Sequence, residues 1–289
     1  MSGRELTAPF EKPDAPGARA LLRELRAAFP GADTNCLMAD GALGAYAAEG
    51  RLLCARTDEA AVFLADEGAY YQAYYYLRPG GALPALHPDK CAVIAEPDIR
   101  GRRAEYIRRM EPAFLAAGFG FECRNIQLEL DLAANEDALR AAARESAEAL
   151  KAGGYTLTAA PEAAQTEQTA RLWRANLKPT DVPLDHYAPG AGGGAVLCAV
   201  DGSGDVAAAM WRLHEGRASQ WRHIVTHPAH RREGLALALL HAWALDALEH
   251  GCAVGWTWAD ERNTASLRLQ QKLGSRPNGR TSALFLLPG

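Results

Sequence analysis

The segment from His227 to Gly251 combines basic residues, a glycine and a long apolar run in an order suited to anion binding. Arg231, Gly234 and Ala236 stand at the first, fourth and sixth positions of a six-residue turn. Glycine adopts the positive φ that such a turn needs, and alanine leaves room for a close approach. Backbone N–H groups in the turn converge on an anion, and the following helix adds the positive end of its dipole. The turn is therefore predicted to hold a phosphate or a pyrophosphate.

A second segment, Trp258–Ser275, ends a strand and continues through Asn-x-x-Ser into a helix that closes on Lys-Leu-Gly. The Arg-x-x-Gly-x-Ala turn resembles the acyl-CoA-binding motif of GNAT acetyltransferases, and this second segment resembles the closing motif of the same family. Gly234 and Glu261 are 27 residues apart, which accommodates a helix, a loop and a strand. The resemblance extends from Tyr155 to the C-terminus, and it implies acyl transfer.

The resemblance also implies which residues hold acetyl-CoA. In this family the strand before the turn diverges from its neighbour, and its backbone binds the pantetheine arm. By alignment those residues are Ile224, Val225 and Thr226. The residues that wrap the pyrophosphate are Arg231, Arg232, Glu233, Gly234, Leu235 and Ala236. Asn263 and Ser266 match the polar positions on the far side of the pantetheine. The alternative roles are a helix N-cap for Asn263 and ordinary solvated charges for the arginines.

Attack by an amine on a thioester needs a neutral amine, a polarised carbonyl and an acid for the departing thiolate. His223, on the strand before the turn, is the predicted base because an imidazole titrates near neutral pH. Its alternative is a structural histidine within the strand. Members of the family often carry a Tyr seven residues after the Asn and a Glu on the strand before the turn. Gln270 and Gln220 stand at or near those positions here, so the general acid is not identified.

Other polar side chains near these positions are alternatives for phosphate or acceptor binding. They are His227, His230, Asp260, Glu261, Asp185 and His186. The first two precede the turn, and the next two follow the neighbouring strand. The last two lie on a short helix that borders the acceptor site in the family. Loop carboxylates beside a helix N-cap also have purely structural roles.

The elements that must position these residues follow the order of the GNAT fold. From Tyr155 the pattern predicts a strand, two helices and three antiparallel strands, the last of which runs from Arg217 to Thr226 into the turn. An Ala-rich helix precedes them, over Glu136–Ala152, and ends at two glycines. We therefore place the boundary there, which gives domains at residues 1–152 and 153–289.

The first half is predicted to be a degenerate copy of the same fold. Pro97–Glu105 resembles the cofactor turn in outline, but Arg103 and Glu105 replace the glycine and the alanine. Bulk and negative charge at those places exclude a pyrophosphate. A different register aligns Leu115–Leu132 with the family's final helix-Gly-Phe-strand segment. Both registers imply a half that does not bind acyl-CoA, and the alternative is an unrelated α/β cap.

Composition argues against several other classes of protein. The net charge of −4 gives no overall attraction to nucleic acid or anionic lipid. The first residues lack an apolar signal segment, and no apolar helical run is long enough to span a bilayer. The six cysteines are scattered without a Cys-x-x-Cys pair, which suits reduced thiols in a cytoplasm better than disulfides or a zinc site.

These patterns predict an α/β fold with two GNAT-like domains, each a mostly antiparallel central sheet flanked by helices. The predicted function is transfer of an acetyl group from acetyl-CoA to a primary amine of a small molecule or peptide. A non-catalytic CoA-binding sensor is the alternative, because the Tyr and the Glu are missing. We expect a cytoplasmic monomer or homodimer that uses no metal and binds neither nucleic acid nor membranes.

Overall fold

The structure is a computed structural model. It describes residues 9–36, 40–98, 104–178 and 194–289. Contacts between residues divide the chain into two compact units. The N-terminal unit comprises Met1–Asn125 and Arg280–Gly289, and the C-terminal unit comprises Ile126–Gly279. Each unit has its own buried hydrophobic clusters.

The described residues of the first half of the chain form three helices and six strands. The helices are α1 (Ala15–Ala28), α2 (Asp40–Ala48) and α3 (Ala104–Ala116). The strands are β1 (Asp33–Thr34), β2 (Leu52–Arg56), β3 (Ala60–Asp66), β4 (Tyr71–Leu77), β5 (Ala92–Asp98) and β6 (Gly120–Asp131).

In the second half, the part of the chain that the structure describes forms four helices and six strands. The helices are α4 (Glu136–Ala152), α5 (Ala163–Asn176), α6 (Leu235–Glu249) and α7 (Thr264–Leu273). The strands are β7 (Thr156–Thr158), β8 (Ala195–Val200), β9 (Val206–Glu215), β10 (Ala218–Thr226), β11 (Val254–Asp260) and β12 (Arg276–Leu287). Among the helices described, none is both long and apolar enough to cross a membrane.

Both units contain mostly antiparallel strands, and a parallel pair is described in each. In the N-terminal unit the order is β2-β3-β4-β5-β12, and β4 and β5 run parallel. In the C-terminal unit the order is β6-β11-β10-β9-β8-β7, and β10 and β11 run parallel. Helices α5 and α6 both pack on β9 and β10 of the C-terminal unit. The predicted α/β fold with a mostly antiparallel sheet flanked by helices is confirmed.

The boundary between the compact units differs from the one that the sequence predicts at residues 152 and 153. β6 changes unit between Asn125 and Ile126, and β12 contributes its residues from Arg280 onward to the N-terminal unit. Helix α4 buries Leu139 and Leu150 in a core cluster of the C-terminal unit. The glycine pair after α4 is therefore a turn within the C-terminal unit, because part of that unit's core precedes it.

The parallel pairs allow the two units to be compared element by element. β10 and β11 are joined through α6, and α7 and β12 follow. β4 and β5 are joined through residues 78–91, and α3 and β6 follow. Residues 78–91 are all described and none of them is helical. β5 and α3 thus correspond to β11 and α7, which fits the register built on Leu115–Leu132. Pro97–Glu105 is not the counterpart of the cofactor turn, and its residues 99–103 lie outside the described residues.

The contribution of α4 and β6 to the C-terminal core gives a prediction about fragments. We expect a fragment of residues 153–289 to lack a cooperative thermal transition, because it loses Leu130, Leu132, Leu139 and Leu150 from that core. Each buried leucine contributes about 1.5–3 kcal/mol, so the total loss is comparable to the stability of a whole domain. The matched control is a fragment of residues 126–289, which should unfold cooperatively. A cooperative transition in fragment 153–289, measured by circular dichroism, would contradict this prediction.

Candidate active site

Strand β10 parts from its parallel neighbour halfway along its length. It pairs with β11 only over Ala218–Gln220. Its pairing with β9 continues further but is broken by a bulge between Arg222 and Val225. Within the described part of the chain, no strand pairs with the β11-facing edge of Ile224–Thr226. This is the divergence that the family resemblance implies.

His223 lies in the bulge with a strained backbone. Its φ is 55°, a positive value that a residue with a side chain adopts only at a cost. Trp173 on α5 stabilises this conformation, because its indole Nε1 donates a hydrogen bond to the carbonyl oxygen of His223 at 2.8 Å. The two rings are also in edge contact, with centroids 6.2 Å apart. Nothing in the sequence pattern links Trp173 to the site, since it lies 50 residues earlier on a helix.

The predicted phosphate-binding turn contains two residues with a positive φ and leads directly into α6. Pro228–His230 form a 3-10 turn, and positive φ values follow at Arg232 (74°) and Gly234 (79°). Gly234 is the N-cap of α6, which has no side-chain capping hydrogen bond and no acidic residue in its first turn. The first N–H groups of a helix have no partner within the helix. A Cβ on Gly234 would meet no atom within 4 Å, so the turn is open on that side.

The side chains of this turn differ in their exposure. Arg231, Arg232 and Glu233 are exposed, whereas Leu235 is buried. Leu235 can therefore contribute only its backbone to a ligand. Arg231 donates from Nη2 to Oδ1 of Asn176 at 3.3 Å, which directs the guanidinium toward α5. Ala236 follows in the first turn of α6 and is partly buried.

The two histidines before the turn have structural contacts. Nδ1 of His227 accepts the backbone N–H of Ala229 at 3.3 Å. Nδ1 of His230 shares a hydrogen bond with the hydroxyl of Tyr155 at 2.9 Å. A cavity of about 550 Å³ lies beside both histidines and is lined further by residues of α5 and of the turn between β8 and β9. Their role as phosphate contacts stays a prediction.

Asn263 is the N-cap of α7, as the alternative interpretation of the sequence predicts. Its Oδ1 accepts the backbone N–H of Ser266 at 3.0 Å. Helix α7 packs against α6. The cap leaves the Nδ2 group of Asn263 available as a donor. Contact between Asn263 or Ser266 and a ligand stays a prediction.

The ionisation of His223 differs from that of an exposed histidine. Burial, together with the smaller effect of the neighbouring charge of Arg222, lowers the pKa of its imidazole to about 3. The ring is therefore neutral at physiological pH. A neutral imidazole has one ring nitrogen that accepts a hydrogen bond and one that donates, but with so low a pKa it does not hold a second proton near neutral pH. The sequence predicts a base that titrates near neutrality, and the pKa of this partly buried imidazole lies well below that range.

Two buried carboxamides stand where the family often has ionisable groups. Gln220 is 6% exposed and Gln270 is 2% exposed. Nε2 of Gln220 and Oε1 of Gln270 are enclosed, and neither has a hydrogen-bond partner among the described residues. Buried polar groups in folded proteins nearly always have a partner, so these two atoms indicate a place for water or a ligand. Neither carboxamide can donate a proton in acid–base catalysis.

Four of the polar residues predicted as alternatives follow β11 or lie on the predicted short helix. Asp260 accepts a hydrogen bond from Nη2 of Arg262 at 2.9 Å, and this contact lowers the pKa of the carboxyl. The ion pair gives Asp260 a structural role at the end of β11. Glu261 beside it is exposed. Asp185 and His186 lie outside the described residues.

A second cluster of polar residues lies near the other end of α6. Oδ2 of Asp246 is 2.6 Å from Nε2 of His214 and 2.5 Å from Nη1 of Arg212. His250 stacks on His214 with ring centroids 4.6 Å apart. His214 is fixed from the other side by Ser219, whose hydroxyl lies 2.8 Å from Nδ1. Arg212 already neutralises the carboxylate, so we interpret the cluster as an ion-pair network that joins β9 to α6.

The comparisons with known proteins agree with this geometry. A model of the GNAT acetyltransferase family matches residues 140–284, just over half of the chain. The chain belongs to the GNAT acetyltransferase family. Members of this family transfer acyl groups, which assigns the chain to the acyltransferases in general terms. No curated protein sequence matches the chain.

Solved structures with the same fold include other GNAT proteins. A tandem GNAT protein from the clavulanic acid biosynthesis pathway is 12% identical with a TM-score of 0.53, and the match covers 97% of this chain and 98% of that one. A GCN5-related N-acetyltransferase from Sphaerobacter thermophilus is 14% identical with a TM-score of 0.50, covering 96% and 94%. A glucosamine N-acetyltransferase region of a fungal GH3 β-N-acetylglucosaminidase is 12% identical with a TM-score of 0.60, covering 99% of this chain and 39% of that one. At these identities the likeness shows the fold alone.

The open turn at Gly234 gives a prediction about CoA binding. We expect Gly234→Glu to abolish binding, because a carboxylate replaces the anion at the N–H groups of the turn; each lost charge-assisted contact costs about 1–3 kcal/mol. The matched control is Gly216→Glu, since Gly216 also has a positive φ (57°) and open space but lies in the turn between β9 and β10. Isothermal titration calorimetry with CoA checks both variants. Unchanged affinity in a folded Gly234→Glu protein would remove the basis of the assignment.

The lowered pKa of His223 gives a prediction about stability and pH. The unfolded chain takes up the proton near pH 6.5, whereas the folded protein does so only near pH 3. The contribution of His223 to the free energy of unfolding is therefore fully present above about pH 6.5. It decreases as the pH falls toward 3, by at most about 1.4 kcal/mol per pH unit. His223→Asn, which tolerates a positive φ, should lose this part of the dependence. His87→Asn changes an exposed histidine and is the control. Identical pH dependence of urea unfolding in wild type and His223→Asn would contradict the prediction.

Proposed function

We propose that the C-terminal unit transfers the acetyl group of acetyl-CoA to a primary amine of a small molecule or peptide. The main observation in support is that β10 leaves its parallel neighbour immediately before an uncapped, glycine-containing turn. The free strand edge suits an extended arm that carries amide groups. The turn offers N–H donors to a pyrophosphate. Family membership supports acyl transfer, and the choice of acetyl-CoA and of an amine is our proposal.

The proposed cofactor contacts follow the order of the chain. The backbone of Ile224–Thr226 binds the pantetheine arm in the manner of an added strand. The turn Arg231–Ala236 then wraps the pyrophosphate, with Arg231 and Arg232 adding positive charge and Leu235 adding only its backbone. Asn263 and Ser266 bind from the N-terminus of α7. The open space around Gly234 and the lack of an acidic residue in the first turn of α6 fit a bulky anion.

In the proposed reaction the amine nitrogen attacks the thioester carbonyl carbon, the carbon–sulfur bond breaks, and the sulfur leaves as a thiolate. Backbone N–H groups at the bulge polarise the carbonyl. His223 is neutral and accepts a hydrogen bond from the attacking amine, which orients its lone pair. After the attack the nitrogen carries one extra proton, which it loses to water. Water also protonates the thiolate, because Gln220 and Gln270 cannot donate a proton.

A non-catalytic CoA-binding sensor is the second candidate function. The specific observation in its favour is the pair of carboxamides, Gln220 and Gln270, at positions where the family often has a Glu and a Tyr. A sensor needs the turn and the strand edge but no proton transfer. The two functions are separated by turnover, since a sensor binds CoA without releasing a thiol from acetyl-CoA.

The location of the protein is part of the proposal. None of the six cysteines, all of which are described, forms a disulfide bond. Free thiols are kept reduced in the cytosol. We therefore propose a cytoplasmic protein.

The experiment that tests the function is thiol release from acetyl-CoA in the presence of a panel of primary amines. We expect turnover with at least one amine, and kcat/KM should rise about tenfold per pH unit below the pKa of that amine, because only the neutral amine attacks. Gly234→Glu should be inactive and Gly216→Glu active. Binding of CoA without turnover of any amine would favour the sensor, and absence of both would reject the two candidates together.

The role of His223 gives a prediction about kinetics. His223→Ala should lower kcat by at least about 10²-fold with little change in CoA affinity, because the amine loses the acceptor that orients it. The variant should keep the same rise of rate with pH, since His223 carries no proton in this mechanism. If His223 only supports the strand, the variant melts earlier but retains its turnover per folded molecule. Wild-type kcat between pH 6 and 9 would exclude the proposed role.

A further inference from the structure

The parallel pair of the N-terminal unit also diverges after three residue pairs. β4 and β5 pair at Tyr71 with Ala92, at Gln72 with Val93 and at Ala73 with Ile94. β4 continues to Leu77 and β5 continues to Asp98 without further pairing to each other. The same divergence between β10 and β11 is the proposed pantetheine site of the C-terminal unit. The N-terminal unit therefore has the backbone outline of an acyl-CoA cleft.

In the N-terminal unit the chain itself fills this cleft. β1 pairs with β4 in antiparallel register, Asp33 opposite Leu77 and Thr34 opposite Tyr76. β3 occupies the opposite edge of β4 along its whole length. A strand has only two edges, so β1 must lie on the edge that faces β5. β1 thus takes the place of an added strand in the gap.

Asn35 closes the point where the two strands part. Its Oδ1 accepts the backbone N–H of Tyr75 at 2.9 Å. Its Nδ2 donates to the carbonyl oxygen of Ala73 on β4 at 3.0 Å and approaches that of Ala95 on β5 at 3.4 Å. The hydroxyl of Thr34 donates to the carbonyl oxygen of Tyr75. The backbone groups of Tyr75 that face the gap are therefore both occupied, and Asn35 is only 7% exposed.

The crossover of the N-terminal unit also lacks the phosphate-binding element. In the C-terminal unit the residues after β10 form the turn and α6. After β4, residues 78–91 form no helix, all of them being described. Leu83 and Leu86 of this segment are buried in a core cluster of the N-terminal unit. No helix N-terminus is therefore presented at the end of β4.

We propose that residues 33–36 act as a built-in ligand mimic, which occupies the acyl-CoA cleft of the N-terminal unit with the chain's own backbone and the carboxamide of Asn35. The N-terminal unit then binds no acyl-CoA, and the protein has one acyl-CoA site per chain. The number of one acyl-CoA site per chain rests on the proposed function of the C-terminal unit. The filled cleft of the N-terminal unit rests only on the contacts of β1 and Asn35.

Amide hydrogen exchange of the full-length protein, followed by mass spectrometry, tests the proposal with CoA as the probe. In the wild type, CoA should slow exchange in residues 224–238 and leave residues 71–77 unchanged. Asn35→Ala should speed exchange in residues 71–77 by about 10- to 100-fold, because the buried groups lose their partner. Asn135→Ala, which changes an exposed asparagine before α4, is the control and should leave residues 71–77 unchanged.

Two results would overturn the proposal: slower exchange in residues 71–98 on addition of CoA, or unchanged exchange in residues 71–77 of a folded Asn35→Ala protein. Calorimetry that finds two CoA molecules per chain would also overturn the proposal. If CoA protects neither unit while Asn35→Ala still speeds exchange in residues 71–77, the filled cleft is supported and the CoA site of the C-terminal unit is rejected. The two proposals can therefore fail separately.

Discussion

The proposed chemistry depends on the separation of β10 from β11. A strand inside a sheet normally pairs along both edges, and unpaired buried backbone groups cost free energy. β10 keeps its pairing with β9 but leaves β11 after Gln220, and the bulge at His223 sets this change of direction. The hydrogen bond from Trp173 stabilises the strained residue at the bulge. The turn at Gly234 and the N-terminus of α6 follow from the path that β10 takes beyond this point.

The same divergence has a different outcome in each unit, which shows that the fold does not by itself provide a function. In the C-terminal unit the edge of Ile224–Thr226 leads to a turn with an uncapped helix N-terminus. In the N-terminal unit β1 and Asn35 take up the corresponding backbone groups. The arrangement in the N-terminal unit pairs buried polar groups within the chain. It stabilises the unit but leaves no ligand site there.

The polar residues that the family resemblance assigns to the proposed acetyl site are mostly uncharged. His223 is neutral because burial lowers its pKa, and Gln220 and Gln270 have no ionisation at all. Asp260 is neutralised by Arg262. Such a site controls position and hydrogen bonding more than proton transfer, which is consistent with direct attack by an amine that water has deprotonated.

The sequence by itself determined the local features of the site. The positive φ of Gly234, the beginning of α6 and the cap of Asn263 on Ser266 depend on residues within a few positions of each other, and such contacts leave a readable pattern. The order of the elements in the second half was predicted for the same reason. Only the tertiary structure decided the contact of Trp173 with His223 and that of Asn35 with Ala95, which join residues 50 and 60 positions apart. It also decided the neutral state of His223 and the unit to which α4 belongs. Burial and long-range pairing are properties of the packed chain, and no short stretch of sequence encodes them.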